Sequence, residues 1–231
     1  MKRKLHWSAK IFLLLLFLLV AYQLWIFAHI TWWRWFNPST SAFMEDRLEI
    51  LQEKNPDAEL RHRWVPYDKI SKNLKRALIA AEDARFLEHE GFDWDAIETA
   101  YEKNLKKGKI VAGGSTISQQ LAKNLFLSSK RSPWRKLQEA AITVMLETML
   151  SKRRIFEIYL NVIEWGNGVF GAEAAARYYF KTSAANLGER QAAHMAAMVP
   201  NPRYYDKRRS TPFLERKTAM ILARMPASDI P

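Results

Sequence analysis

Apolar positions fall into two regimes along this chain. From Ile11 to Ile30 it reads IFLLLLFLLVAYQLWIFAHI, with only Gln23 and His29 set against hydrocarbon. About 20 residues at roughly 1.5 Å each span a bilayer core, so the run predicts a transmembrane helix. Asn37-Pro38-Ser39-Thr40-Ser41 reads as a short linker. Beyond it apolar residues recur at three- to four-residue steps rather than in alternation, which predicts a mainly α fold.

Punctuation residues divide that second regime. Ser71 is placed to cap a helix carrying Leu74, Leu78, Ala81 and Phe86 on one face, with Gly91 to close it. Asp93 caps the next, from about Trp94 to Lys107, and Gly108 ends it. Thr116 and Gln119 have capping-box spacing for a helix reaching about Phe126. Ser132-Pro133 opens a fourth, and Ser151 a fifth running toward Leu160. Gly166, Gly168 and Gly171 mark a loop before short helices near 172–178, 189–198 and 212–224. No internal repeat or low-complexity tract interrupts the series.

Composition adds compartment and charge. The 231 residues are 48% hydrophobic and 26% charged, an ordinary proportion for one globular domain plus extras. No cysteine is present, which excludes disulfides and thiolate metal sites. The net charge of +12, with nine tryptophans, points to a polyanion: nucleic acid, an anionic membrane surface or a phosphate-bearing substrate. Lys2, Arg3, Lys4 and Lys10 precede the apolar run, and Trp32, Trp33, Arg34 and Trp35 follow it. That is a positive-inside flank and an interfacial aromatic belt, and it places the bulk of the chain outside the cytoplasm, away from nucleic acid. A cleaved signal peptide would end its shorter apolar core at small residues; Tyr22-Gln23-Leu24-Trp25 stands there instead. The expected organisation is a basic cytoplasmic tail (1–10), a signal-anchor helix (11–30), an interfacial segment and linker (31–60) and a globular domain (61–231).

The stretch GGSTISQQLAKN, from Gly113 to Asn124, resembles a phosphate loop feeding a helix. Counted from Gly108, the spacing of a nucleotide loop lands on Gly113-Gly114-Ser115, without the required lysine. What remains is two glycines, two hydroxyls and a helix N-terminus, a plausible anion or hydroxyl-rich site. Around it stand polar residues with ordinary explanations when taken singly. Glu82 can pair with Arg85 or Arg76, and Glu139 with Arg135 and Lys136 at helical spacing. His89, seven residues after Glu82 and near its face, can be a helix-end hydrogen-bonder, and Gln119, Gln120, Lys123 and Asn124 a plain polar face.

As an ordered set these residues are far more specific. EDARFLEHEGFD, GGSTISQQLAKNLF, RKLQEAAITVMLE, KRRIFEIYLNVIEWGNGVFGAEAAARYYF and ERQAAHMAAMVPNPRYY follow one another from about Leu74 to Tyr205. In this the chain resembles the glycosyltransferase domain of bacterial peptidoglycan synthases at all five of that family's motifs. Its length, single anchor and lack of a Ser-x-x-Lys nucleophile resemble the monofunctional members. Ser118 stands where the family usually has threonine.

The resemblance implies a lysozyme-like glycosyltransferase domain, with a larger globular lobe and a smaller membrane-proximal lobe. It implies polymerisation of lipid II, a disaccharide-peptide on a polyprenyl pyrophosphate, with the growing glycan strand, the phospholipid bilayer and other cell-wall synthases and division proteins as partners. By resemblance Glu82 is the base that takes the proton of the acceptor 4-hydroxyl, and Glu139 is the second essential glutamate. Glu139 would orient cations, contact the pyrophosphate or help hold a divalent cation, Mg or Mn; no cofactor is otherwise implied. Asp83, Phe86, His89, Ser115, Gln119, Gln120 and Asn124 are expected at the substrate. A pyrophosphate leaves as a stable anion and calls for cations, which Lys123, Arg131, Arg135 and Lys136 supply. Tyr159, Asn161 and Glu157 are expected to brace the site. A lysozyme-like hydrolase or lytic transglycosylase is the alternative, since paired glutamates also serve glycosidases, but gathered cations favour synthesis.

Overall fold

The computed structural model describes residues 6–109, 111, 113–128 and 132–231. Its first helix, α1 (Trp7–Trp32), is 26 residues long, with a mean hydropathy of 2.6 over its most apolar window. At about 1.5 Å per residue it exceeds a bilayer core. Among the described residues, its C-terminal turns from Gln23 onward meet the rest of the chain. Ile26, Ile30 and Trp33 are buried there, and Gln23 exchanges two side-chain hydrogen bonds (2.9 and 3.2 Å) with Gln138. Arg154 secures the end of the helix, donating to the carbonyl oxygens of Trp33 and Phe36 and to Asn37 Oδ1. Lys2, Arg3 and Lys4 lie outside the described residues.

The segment read as linker contains α2 (Ala42–Gln52), capped by Ser41 and burying Met44 and Arg47. A buried arginine interrupts its apolar stripe, and a tertiary pairing with Glu164 (3.4 Å) is what accommodates it. Downstream, the predicted caps are in place. Ser71, Asp93, Thr116, Ser132 and Ser151 each accept from the backbone N–H three residues on. They open α3 (Lys72–Glu82), α4 (Trp94–Lys107), α5 (Ile117–Phe126), α6 (Pro133–Met149) and α7 (Lys152–Val162). Gly108, in the left-handed conformation at φ 60°, closes α4. Four further helices complete the series: α8 (Ala172–Phe180), α9 (Glu189–Met198), α10 (Pro202–Lys207) and α11 (Pro212–Arg224).

A small sheet sits in the segment read as a glycine loop. Asn167-Gly168 joins β2 (Glu164–Gly166) to antiparallel β3 (Val169–Phe170), with Gly168 at φ +75°. The short β1 (Arg61–His62) runs parallel to β3, giving the order β1-β3-β2. Around it α3 packs on α9 and α11, while α5 packs on α6 and α7. Alanines 192, 193, 196 and 197 of α9 are fully buried, which lets its backbone approach α3 closely. Trp165, Tyr159, Phe156, Phe170 and Phe86 fill the centre.

One helix is shorter than its periodicity predicts. Instead of continuing past Phe86 to Gly91, α3 stops at Glu82, and Asp83 takes φ −161°, ψ 76°. The Asp83 carboxylate accounts for the break. Its Oδ2 accepts from Ile117 N–H, the first residue of α5, and its Oδ1 accepts from His89 Nε2, both at 2.9 Å. These two tertiary bonds outweigh the single intrahelical bond gained by another residue of helix. Glu82 and His89 therefore do not share a helical face.

Candidate active site

Because α3 ends at Glu82, this carboxylate sits on the last helical residue, at the wall of a cavity of about 470 Å³. Asp93, Thr99, Lys103, Gly113, Ser115 and Arg224 also line it. Gln120, from the middle of α5, donates its Nε2–H to Glu82 Oε2 at 2.9 Å. Burial pushes the Glu82 carboxyl above its usual range; the Gln120 hydrogen bond, Lys217 and Lys123 work against that shift. The outcome is a carboxylate held by a neutral donor, with cations acting at longer range, as a proton acceptor working near neutral pH requires.

Gln120 also lines a second cavity, of about 510 Å³, whose walls include Lys123, Asn124, Arg135, Lys136 and Glu139. Residues 120, 123 and 124 share it because they fall on one face of α5; residues 135, 136 and 139 do so on the first turns of α6. Glu139 is buried, its two oxygens taken by Arg135 Nη1 (3.1 Å) and Lys136 Nζ. Arg135 keeps a buried Nε with no hydrogen-bond partner among the described residues. A buried guanidinium donor calls for an acceptor, and a phosphate oxygen supplies one. Lys123 lies over the ring of Phe43 from α2, 5.7 Å from its centroid. Burial lowers the pKa of its ammonium, against the pull of Glu139. Arg131 lies outside the described residues.

At the N-terminus of α5, expected as an anion or hydroxyl-rich site, the chain's own Asp83 takes the first free N–H. Ile117 N–H donates to Asp83, Thr116 caps the helix, and the Gln119 side chain returns to Thr116 N–H at 3.0 Å. The cations gather instead toward the other end of α5. Gly114 is required in the preceding loop because a Cβ there would lie 2.8 Å from Ile97 Cα. Ser115 is exposed and lines both cavities.

Of three residues expected at the substrate, Phe86 and His89 stand behind the base, while Asp83 lines the first cavity with its carboxylate engaged by the protein. Phe86 has no exposed surface. Asp83 is buried and committed to Ile117 and His89, and His89 accepts from Gly91 N–H through Nδ1 (3.1 Å) while donating to Asp83 through Nε2. Their hydrogen bonds tie the α3 terminus to α5 and engage both Asp83 oxygens at the edge of the first cavity. Gln119 and Asn124 line the cation cavity but are also tied locally, Gln119 to the cap and Asn124 Nδ2 to Gln120 O at 2.7 Å. Of the bracing residues, Asn161 joins α7 to the Val65 backbone through both amide atoms, and Glu157 accepts from Tyr67 N–H. Tyr159, fully buried, donates to Gln120 Oε1 at 2.9 Å.

The structure adds residues to which sequence reasoning gave no role. Glu164, Asn201 and Arg203 complete the wall of the cation cavity, and Arg203 Nε donates to both oxygens of the buried Glu164 at 3.0 Å. They lie within quoted motifs, so only their roles were missing. Lys217 of α11 belongs to no motif and reaches Glu82 by folding alone; burial lowers its pKa and Glu82 raises it.

The donor set does not fit a protein-held divalent cation. Glu139 is the carboxylate of the cation cavity nearest the lysines, and two cations already hold it. No group of three or more His, Asp or Glu able to hold a metal ion occurs among the described residues.

Known proteins resemble this chain over most of its length. A family profile described as Transglycosylase matches residues 48–226. A protein named biosynthetic peptidoglycan transglycosylase from Chromobacterium violaceum is 71% identical over 210 residues, covering 91% of this chain and 92% of its own length. Proteins of the same name from Methylobacillus flagellatus and Nitrosospira multiformis are 67% and 65% identical, over 100% and 98% of both chains.

Proposed function

The chain belongs to the transglycosylase family, a glycosyltransferase enzyme that polymerises peptidoglycan glycan strands from lipid II, and on that premise we propose how its two cavities divide the reaction. Glu82 is the general base. It takes the proton from the 4-hydroxyl of the acceptor sugar as that oxygen bonds to the anomeric carbon of the donor, and the bond from that carbon to the pyrophosphate breaks. The electron pair leaves with the polyprenyl pyrophosphate, which Lys123, Arg135 and Lys136 stabilise. Glu139 holds Arg135 and Lys136 in place.

One observation carries this reading. Gln120 forms the boundary between a desolvated carboxylate with a neutral hydrogen-bond partner and a pocket of cations. Cleavage of a sugar–sugar bond would require a carboxyl beside the leaving oxygen to donate its proton, and both oxygens of Glu139 are already engaged by Arg135 and Lys136. Incubation of the purified chain with labelled lipid II tests the reading: polymer supports it, and shortening of preformed glycan without polymer contradicts it.

Helix α1 fits a single-pass membrane anchor. The basic residues ahead of it support a cytoplasmic N-terminus and a catalytic domain on the outer, periplasmic face of the inner membrane. Contact of that domain with the bilayer is supported by α6, which lies along α1 and exposes Trp134, Leu137 and Val144. A reporter fused after Pro231 should be active only if it is suited to the extracytoplasmic side.

A further inference from the structure

Glu82 touches Gln120, but Gln120 does not hold itself. A glutamine amide offers a carbonyl at one end and two N–H donors at the other, and either end can face a neighbour. Were the carbonyl turned toward Glu82, two acceptors would meet and the base could remain ionised only at a cost. Its orientation therefore decides whether Glu82 is a ready proton acceptor.

Tyr159 settles that orientation from the opposite side. Its ring is fully buried in α7, and among the described residues its hydroxyl has one hydrogen-bond partner, Gln120 Oε1 at 2.9 Å. A phenolic hydrogen in so dry a place must donate or lose a full hydrogen bond. With the Gln120 carbonyl as its acceptor, the Gln120 N–H groups are left facing Glu82, as the 2.9 Å contact to Oε2 shows. We propose that Tyr159 is a positioning residue for the base: acting through Gln120, it keeps an N–H donor on the Glu82 carboxylate.

Other charges around Glu82 do not substitute for this arrangement. Lys123 from α5 and Lys217 from α11 favour the ionised carboxylate, while neighbouring Asp83 and burial disfavour it. None of them fixes the direction of the Gln120 amide. Burial together with Glu82 and Asp83 keeps Tyr159 protonated well beyond the ordinary tyrosine range, so it serves as a donor at every working pH.

The inference rests on Glu82 being the base, and the experiment separates the two claims. The full chain is assayed for lipid II polymerisation across pH as parent, Tyr159→Phe, Gln120→Met, the double variant and Glu82→Gln. In Tyr159→Phe the acid limb of kcat/KM should move up by about one pH unit, the worth of one hydrogen bond to a carboxylate, giving about a tenfold loss on the acid side and recovery to within a few-fold above the limb. Gln120→Met should move the limb by a similar amount, and adding Tyr159→Phe to it should move it no further. Should Tyr159→Phe fold poorly, the limb of Gln120→Met against parent reads the same contact. Coincident limbs in parent and Tyr159→Phe, a loss uniform across pH, or a Tyr159→Phe shift that persists in the Gln120→Met background would each overturn the proposal. An active Glu82→Gln would instead overturn the assignment of the base.

Discussion

Two glutamates, Glu82 half-buried and Glu139 buried, stand in opposite surroundings in two cavities that share Ser115. Glu82 has a neutral amide as its hydrogen-bond partner, and burial raises its pKa. Glu139 has an arginine and a lysine on its two oxygens. A carboxylate whose two oxygens are held by cations is placed to fix those cations, whereas one desolvated beside an amide, like Glu82, is placed to take a proton. The contrast shows that a motif supplies residue types and their environment assigns the jobs.

The largest expected effect breaks the contrast at Glu82. Glu82→Gln keeps size and hydrogen bonding but removes the proton acceptor, so polymerisation should fall by at least roughly a hundredfold with little change in thermal unfolding. In the other cavity, Lys123→Gln should cost on the order of tenfold to a thousandfold in turnover, beyond the modest value of an exposed ion pair. Next comes pH. Glu82 is raised, so activity should fall as pH drops through a point above the usual carboxylate range; Lys123 is lowered, so its contribution should fade as pH rises through a point below the usual lysine range. An acid limb at an ordinary carboxylate value would count against the desolvated base.

Asp83→Ala sharpens the comparison from behind. It leaves Ile117 N–H and His89 without their acceptor, which should cost about 1–3 kcal/mol and lower the unfolding midpoint by several degrees. An unchanged midpoint with lost lipid II affinity would return Asp83 to the substrate. The smallest effect is expected at Lys106→Gln, an exposed residue of α4 paired with Glu102 at 3.5 Å, which should stay within a few-fold of parent activity.

Much of this architecture was legible in the sequence, because caps are local. Ser71, Asp93, Thr116, Ser132, Ser151 and Gly108 mark helix ends through bonds to residues three or four positions away. What stayed hidden was settled by distant partners. The α3 stop depends on Ile117, far along the chain, and Arg47 in α2 is buried because Glu164 meets it. The sheet has strands of two or three residues, too short for any alternation, although Asn167-Gly168 is a hairpin signal in its own right. Within the site, motif order brought Glu82, Gln120, Lys123, Arg135, Lys136 and Glu139 together in advance. It did not distinguish the residues that face the two cavities from Phe86 and His89, which face the protein, or show that Ile117 and His89 engage the Asp83 carboxylate, nor could it foresee Lys217.

The most direct test of a division between proton side and cation side is the equilibrium affinity of two variants for polyprenyl pyrophosphate, the released product. Glu82→Gln should bind it within about threefold of parent while failing to polymerise, since the base acts only as the reaction proceeds. Lys123→Gln should bind it at least about tenfold more weakly, the loss of a charge-assisted contact. Affinity lost in Glu82→Gln and kept in Lys123→Gln would contradict the account and exchange the roles of the two cavities.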